Sequence, residues 1–174
     1  IIRTSYEDHA TDAAKAFIEK YKNYKKTIIV GGGDGSLNEI CNVIYENDLE
    51  NTSLGLIPMG TGNDFSKNFS YKNFKVESLL NLKEKKIDLI KVNDKVGINV
   101  LSLGFDTVVL EKAYEYLDKN PSLGKKAYFF GVIKALKYLS YQNLSLTLYD
   151  KNYKEIKLED EFLLSAICNG GYYG

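Results

Sequence analysis

Two short apolar runs, each leading into a glycine-rich stretch, constrain the fold of this sequence more than any other feature. Residues 27–30 (Thr-Ile-Ile-Val) are β-branched and show no polar alternation, as expected of a strand buried on both faces. A second apolar run, residues 54–57, precedes another glycine-rich loop. Between the two runs lies an apolar stripe at helical spacing, made of Leu37, Ile40, Cys41 and Ile44. This order predicts a parallel sheet with a crossover helix.

The flanking segments extend this prediction to the whole chain. An amphipathic helix is predicted before the first strand, capped by Thr11 or Asp12. From about Ile87 the pattern changes to strands with alternating polarity, at residues 96–100 and 144–149, with helices predicted near Asp106 and from about residue 125. We therefore predict an α/β domain at residues 1–90, followed at 91–174 by a mostly antiparallel β domain with inserted helices.

Composition excludes several classes of protein. Lys plus Arg and Asp plus Glu each number 23, so zero net charge gives no overall attraction to nucleic acid, and we predict no nucleic-acid partner. The two cysteines are too few for a disulfide framework and favour a reducing compartment, and the single His9 excludes the familiar Cys/His zinc modules. No apolar run approaches the ~20 residues that cross a bilayer.

The first glycine-rich loop, residues 31–39 (Gly-Gly-Gly-Asp-Gly-Ser-Leu-Asn-Glu), is predicted to leave a strand and open a helix. Helix N-termini carry free N–H groups and a positive dipole, and glycines let the backbone approach a phosphate closely. Asp34 would repel a phosphate unless Mg²⁺ lies between them, directly or through water. The alternative is an ordinary turn in which Asp34 or Ser36 caps the helix. The Gly-Lys-Ser/Thr, Gly-x-Gly-x-x-Gly and His-Arg-Asp signatures of other nucleotide-binding proteins are absent.

The second loop, residues 58–65 (Pro-Met-Gly-Thr-Gly-Asn-Asp-Phe), also follows a predicted strand. Both loops should therefore lie at the carboxyl edge of one parallel sheet, where ligands bind in open α/β folds. Thr61 and Asn63 can donate hydrogen bonds to phosphate or ribose, and Asp64 adds a carboxylate; alternatively, Asn63 and Asp64 cap a short helix. Asp88 lies in an apolar run, either at a solvated strand end or buried with a partner.

These motifs, taken together, resemble the diacylglycerol kinase and sphingosine kinase family. Residues 32–39 and 56–65 carry the resemblance most strongly, because Gly-Gly-Asp-Gly alone is shared with NAD kinases and phosphofructokinases, whereas Gly-Thr-Gly-Asn-Asp-Phe selects the lipid kinases. Residues 87–89, 99–106 and 168–174 (Cys-Asn-Gly-Gly-Tyr-Tyr-Gly) are similar to further landmarks of the family, in the same order.

The resemblance implies an N-terminal domain like that of NAD kinase and a partial antiparallel β-sandwich domain, with ATP in the cleft between them. It implies transfer of the ATP γ-phosphoryl group to the hydroxyl of a diacylglycerol-like lipid. Asp34, Asp64 and Asp88 would form a catalytic carboxylate network that holds Mg²⁺ through waters. The residues implied to bind ATP are Gly32, Gly33, Asp34, Gly35, Ser36, Leu37, Asn38, Thr61 and Asn63.

The resemblance also implies features that the chain lacks. We expect Ile1 to start after a first strand and phosphate-contacting turn, and the general base to lie beyond Gly174, so this chain alone would be inactive. The implied partner is a lipid alcohol at the membrane surface, in the cytoplasm or peripherally on the inner face of the membrane. The lipid and the oligomeric state, a homodimer included, stay open.

Three further alternatives accompany this prediction. The protein could phosphorylate a soluble acceptor such as NAD, or it could bind nucleotide without catalysis. The helix from about residue 125 to Tyr141 carries Phe129, Val132, Ile133, Leu136 and Leu139 at i, i+3, i+4 spacing, with lysines and tyrosines nearby. Such a face is usually core, and the alternative is docking on lipid headgroups.

Overall fold

The computed structural model describes residues 1–60, 62–69, 75, 77, 81, 83–149 and 152–172. Within these ranges the chain forms two compact units. The first comprises residues 1–100 together with 168–174, and the second comprises residues 101–167. The predicted domains, residues 1–90 and 91–174, remain a prediction. The boundary between the compact units lies about ten residues later, and residues 168–174 belong to the first unit.

The described part of the first unit alternates helices and strands before a short hairpin. Its elements are α1 (His9–Lys20), β1 (Lys26–Gly32), α2 (Asp34–Asn47), β2 (Thr52–Pro58), a 3-10 helix (Phe65–Asn68), β3 (Ile90–Val92) and β4 (Lys95–Gly97). Strands β1 and β2 pair in parallel, in register from Lys26 with Thr52 to Gly32 with Pro58. The predicted parallel sheet with a crossover helix is therefore confirmed.

Helix α2 carries apolar residues on two faces, and both faces are buried. One face packs with α1 and β1 in a cluster of Ala14, Ile18, Val30, Ile40, Val43 and Ile44. The other face packs with β2 and β4 in a cluster of Leu37, Cys41, Leu56, Val96 and Ile98. Full burial of a Val, Leu or Ile side chain contributes about 1.5–3 kcal/mol. Because both clusters contain residues of α2, this helix is central to the core of the first unit.

Two asparagines fix the hairpin to α2. Asn42 accepts a hydrogen bond from the Val96 amide (2.8 Å) and donates one to the Val96 carbonyl (2.8 Å), as a neighbouring strand would. Asn38 accepts from the amide of Ile98 (3.0 Å). The predicted strand through residues 96–100 is consequently divided between β4 and the next strand, and the first unit extends to Val100 because Val96 and Ile98 belong to its core.

The start of α1 differs from the prediction. The helix begins at His9, and neither Thr11 nor Asp12 is its N-cap, because both lie inside the helix. Thr11 instead donates a hydrogen bond from its hydroxyl to Glu39 Oε1 of α2 (2.6 Å). The polar residue that the sequence offered as a cap thus links two helices.

In the described part of the second unit, a pair of helices follows one strand along the chain and precedes three others. Its elements are β5 (Val100–Gly104), α3 (Phe105–Lys119), a 3-10 helix (Pro121–Leu123), α4 (Lys125–Ala135), a 3-10 helix (Leu136–Tyr138), β6 (Gln142–Tyr149), β7 (Glu155–Phe162) and β8 (Leu164–Cys168). Strands β6 and β7 are antiparallel, and β5 pairs with β8. The predicted antiparallel strands are therefore confirmed, while the β-sandwich remains a prediction. No helix in the described ranges is long and apolar enough to cross a membrane.

The prediction that the large apolar residues of α4 lie in the core is wrong. The buried residues of this helix are the small ones, Ala127, Gly131 and Ala135, which recur every fourth position. A Cβ added to Gly131 would lie 2.7 Å from the Val109 carbonyl oxygen of α3, so the two helices approach too closely for larger side chains. Phe129, Ile133 and Leu136 consequently remain about half exposed or more, at 63%, 48% and 52%.

Candidate functional site

The two glycine-rich loops lie side by side at the carboxyl ends of β1 and β2. Gly32 is in register with Pro58, and the Met59 amide donates a hydrogen bond to the Gly32 carbonyl (2.9 Å), which continues the pairing of the strands into the loops. The predicted neighbourhood of the two loops is thus present in the structure.

Two glycine backbones touch where the loops meet. A Cβ added to Gly60 would lie 2.3 Å from the Gly33 Cα atom, and one added to Gly33 would lie 3.1 Å from the Gly60 Cα atom. Because real Cβ atoms do not tolerate the shorter distance against backbone, Gly60 is required for this contact. Gly33 and Gly60 therefore allow the two loops to pack together. From the sequence alone, the glycines of the first loop were predicted to let the backbone approach a phosphate.

Asp34 joins the loops through its carboxylate. Its Oδ2 atom accepts a hydrogen bond from the Asp64 amide (2.8 Å), and its Oδ1 atom accepts one from the Phe65 amide (3.0 Å). Asp34 is also the first residue of α2. An ionised carboxylate has about four acceptor positions, so these two bonds leave capacity for a further partner.

The start of α2 offers backbone donors. Its N-cap is Gly33, in extended conformation, and no side chain caps the helix. The first N–H groups of a helix have no partner inside it, and they lie at the positive end of the dipole. Gly35 and Ser36 are exposed in this turn, and a Cβ on Gly35 would meet nothing within 4 Å. The geometry suits an anion, and it replaces the alternative in which Asp34 or Ser36 caps the helix.

Two other residues implied to bind ATP have side chains committed to the protein. Leu37 is 1% exposed and belongs to the core, and its amide bonds to the Gly33 carbonyl (3.0 Å). Asn38 accepts from the Ile98 amide. Nucleotide contact by either residue remains a prediction, and the structure gives both of them a role in packing α2.

The second loop is folded on itself through Asn63. Its backbone is left-handed (φ 56°), and its Oδ1 atom accepts from the Gly60 amide (2.9 Å) while its Nδ2 atom donates to the Gly60 carbonyl (2.5 Å). Neither Asn63 nor Asp64 caps the following 3-10 helix through its side chain. Thr61, which the resemblance places near the phosphates, lies outside the described residues.

The three predicted carboxylates have different surroundings. Asp64 forms an ion pair with Lys67 (2.5 Å). Asp88 is exposed, and its carbonyl accepts from Asn169 Nδ2 (2.6 Å). Across the described ranges, no three His, Cys, Asp or Glu side chains are grouped to hold a metal ion directly. Since Mg²⁺ commonly keeps several waters, the spare acceptor capacity of Asp34 fits the predicted contact through water, which remains a prediction.

Sequence reasoning missed a set of asparagines that joins the remaining landmarks. The amides of Asn169 and Gly170 donate to the Asn99 carbonyl (2.8 and 3.1 Å), and the Gly171 amide donates to Asn68 Oδ1 (2.7 Å). The Oδ1 atom of Asn99 is buried and has no hydrogen-bond partner among the described residues. Asn99 and Asn169 lie within the landmark motifs and Asn68 lies just after one, but no local pattern indicates that residues 70 to 103 positions apart are bonded.

A parallel βαβ unit with two joined glycine-rich loops, one of them at a helix N-terminus, is the arrangement of phosphate-binding α/β domains. The family model described as "Diacylglycerol kinase catalytic domain" matches residues 1–92, just over half of the chain. The chain therefore belongs to the diacylglycerol kinase-like lipid kinase family, and the resemblance predicted from its motifs is confirmed.

Named relatives agree with the family model. A protein of Staphylococcus aureus (strain bovine RF122 / ET3-1), named "Putative lipid kinase SAB0675c", is 32% identical over 162 residues, which cover 89% of this chain and 50% of that protein. A protein of Alcanivorax borkumensis, named "Probable lipid kinase YegS-like", is 37% identical over 129 residues, covering 73% of this chain and 42% of that protein. The chain thus spans about half the length of these curated relatives or less.

Proposed function

We propose that this chain carries the ATP-binding part of a lipid kinase that transfers the γ-phosphoryl group to the hydroxyl of a diacylglycerol-like lipid. Family membership and the names of the relatives support a kinase acting on lipid. The observation that carries the proposal is the position of Asp34, which holds both loops at the N-terminus of α2.

The residues have separate roles in this proposal. Backbone amides at Gly33, Gly35 and Ser36 bind the phosphates, as exposed N–H groups at a helix start bind anions. Asp34, supported by Asp64 and Asp88, holds Mg²⁺ through waters. When bound, the metal neutralises charge that develops on the phosphoryl oxygens. These carboxylates act electrostatically, and none of them is assigned as the base that accepts the proton of the lipid hydroxyl.

Contact with a membrane surface follows from the same proposal, because the acceptor is a lipid. The second unit supports it with the exposed aromatic and aliphatic side chains of α4, among them Tyr128, Phe129 and Ile133. We propose peripheral binding at the cytoplasmic face, through side chains that reach the headgroup level. In vesicle sedimentation, Phe129→Ala with Ile133→Ala should reduce the bound fraction; an unchanged fraction would contradict a role for this helix.

The sharpest test of the nucleotide site is Gly35→Ala, because the added methyl group meets no protein atom within 4 Å. Alanine should keep or raise stability, since it reduces the entropy of the unfolded chain by about 0.4–1 kcal/mol. The same methyl group would crowd a phosphate at the helix start, and we expect Mg–ATP affinity to fall about tenfold or more (about 1.4 kcal/mol).

Gly97→Ala is the matched control for that test. It adds the same group in β4, where the nearest atoms lie 3.9 Å away, and it should leave Mg–ATP affinity unchanged. Isothermal titration gives the affinities, and thermal unfolding verifies that both variants fold. Equal affinity in Gly35→Ala and the wild type would refute phosphate binding at this turn.

Asp34→Asn tests the carboxylate but alters two properties at once. We expect a loss of activity of about 10² or more in the full-length enzyme, the scale of losing one transition-state stabiliser. The new NH₂ group would also face one of the two amides that Asp34 now accepts. The thermal unfolding of this variant should therefore be measured beside its turnover, and near-normal turnover would contradict the assignment.

A transfer assay separates the competing functions. Full-length protein is incubated with γ-labelled ATP and Mg²⁺, with diacylglycerol in mixed micelles in one arm and NAD in the other. We expect label in the lipid. Label in NAD alone would favour a kinase for a soluble acceptor, and Mg–ATP binding with no transfer to any of a panel of lipid alcohols would favour a non-catalytic nucleotide-binding protein.

A further inference from the structure

Asparagine hydrogen bonds hold residues 169–172, the last described segment of the first unit, in place. Asn169 donates from Nδ2 to the carbonyls of Asp88 (2.6 Å) and Ile98 (3.0 Å). Asn99 donates from Nδ2 to the Tyr172 carbonyl (3.1 Å). A Cβ on Gly170 would lie 1.9 Å from Asn99 Oδ1, so only glycine fits at this position beside Asn99. The segment is thus held at several points at once.

One of these bonds leads to the nucleotide loops. The Gly171 amide donates to Asn68 Oδ1 (2.7 Å), and Asn68 Nδ2 donates to the Phe65 carbonyl (3.0 Å). The amide of the same Phe65 donates to Asp34 Oδ1 (3.0 Å). Asn68 accepts one bond and donates the other, which an ionised carboxylate in its place could not do. A continuous set of bonds therefore runs from Gly171 to the carboxylate of Asp34.

A second bond leads to another predicted carboxylate. Asn169 holds the backbone of Asp88 directly through the carbonyl oxygen. Asn68 and Asn169 thus each contact the backbone of a segment that bears a carboxylate of the candidate site. Residues that hydrogen-bond directly to metal ligands orient those ligands, and their loss typically lowers metal affinity 10–100-fold. Asn68 and Asn169 act one step further away, through the backbone that carries the carboxylates.

We propose that Asn68 and Asn169 are positioning residues for the Mg–ATP site: they set the backbone of Phe65 and Asp88, and through them the carboxylates of Asp34 and Asp88. This inference rests on the proposed function, because it assigns these residues to the same site. It adds a requirement to that function, since residues 169–171 must be in place for Mg–ATP to bind tightly.

Two variants test the proposal in the full-length protein. Asn169→Asp keeps the shape of the side chain but turns both donated bonds into contacts between a carboxylate and two carbonyls. Asn68→Ala is the milder change, and it keeps the test valid if the first variant folds poorly. We expect Mg–ATP affinity to fall about tenfold or more in each variant, in the range typical of residues that orient metal-linked groups.

The control is Asn47→Ala, which also removes a bond from an asparagine amide to a carbonyl of its own helix, that of Val43 (2.8 Å). Asn47 ends α2, about 20 Å along the helix from Asp34 at 1.5 Å per residue. Its loss should leave Mg–ATP affinity unchanged. In the chain without ligand, amide NMR should show the Asp64 and Phe65 signals shifted in Asn68→Ala and unshifted in Asn47→Ala.

The outcomes are distinguishable. If the wild type binds Mg–ATP, unchanged affinity in a folded Asn68→Ala would overturn the positioning role and leave the proposed function intact. Unshifted Asp64 and Phe65 signals in that variant would overturn it equally. If the full-length wild type binds no Mg–ATP, the proposed function fails, and the positioning role fails with it.

Discussion

Helices α2 and α4 carry apolar residues at similar spacing, yet they bury opposite kinds of side chain. In α2 the large residues Leu37, Ile40 and Ile44 are at most 3% exposed. In α4 the buried residues are Ala127, Gly131 and Ala135, while large neighbours remain exposed. Helix α2 packs on strands and on α1 at the usual separation, and large side chains fill the space between them. Helix α4 packs so closely against α3 that only small side chains fit at the contact. The size of the side chains therefore decides which face is buried.

The largest expected effect on stability comes from truncating a buried side chain of α2. Leu37→Ala removes a side chain that is 1% exposed, and we expect a loss of about 2–5 kcal/mol in the free energy of unfolding. Ile133→Ala in α4, at 48% exposure, should change it by no more than about 0.5 kcal/mol. Urea denaturation followed by circular dichroism measures both. Similar losses would mean that the apolar face of α4 is also buried.

Thiol reactivity gives a second contrast. Burial raises the pKa of Cys41 in α2 to about 11, whereas Cys168 is exposed. Only the thiolate reacts with iodoacetamide, so at pH 8 the Cys41 thiol should be alkylated at least ~10²-fold more slowly than an ordinary, accessible cysteine. Mass spectrometry of timed digests measures the rates. Comparable labelling of Cys41 and Cys168 under native conditions would contradict the buried position of Cys41.

The close approach of α3 and α4 can be tested at its tightest point. In Gly131→Ala the new Cβ would lie 2.7 Å from the Val109 carbonyl oxygen and 2.9 Å from the Ala113 amide nitrogen. We expect a loss of about 1–3 kcal/mol from overpacking, although alanine is the better helix former by about 1 kcal/mol. Thermal unfolding measures the change, with Gly35→Ala as the variant that has room. A stabilised Gly131→Ala would show that the helices separate at little cost.

The same contrast explains how far the sequence could predict this structure. The β1–α2–β2 unit was predictable because buried strands, glycine-rich loops and a large apolar stripe are local patterns. The buried face of α4 was not, because the spacing of Phe129, Ile133 and Leu136 says nothing about how closely another helix approaches. At the site, the two loops and Asp34 were predictable from their motifs. The links through Asn68, Asn99 and Asn169 were not, because they join residues distant in the sequence.

The smallest expected effect concerns the ion pairs of Glu115 in α3, of which the pair with Lys134 connects α3 to α4. Hydrogen bonds from Lys112 (2.6 Å) and Lys134 lower the pKa of Glu115 from 4.5 to about 2. Because the folded pKa is the lower one, the stabilisation is present above about pH 4.5 and is lost as the pH falls toward 2. The groups are partly exposed, so the effect should be smaller than those above and weaker in 1 M salt.

Glu115→Gln isolates this contribution. The difference in melting temperature between wild type and variant should be greatest above pH 5, shrink as the pH falls, and disappear near pH 2. Direct titration of the Glu115 carboxyl by NMR should give a midpoint near 2. A midpoint at the ordinary value, or a difference in melting temperature that does not change with pH, would mean that the lysines do not hold this carboxylate. The contact between α3 and α4 would then depend on the small residues and on the Tyr116–Phe130 ring contact (5.7 Å) instead of on charge.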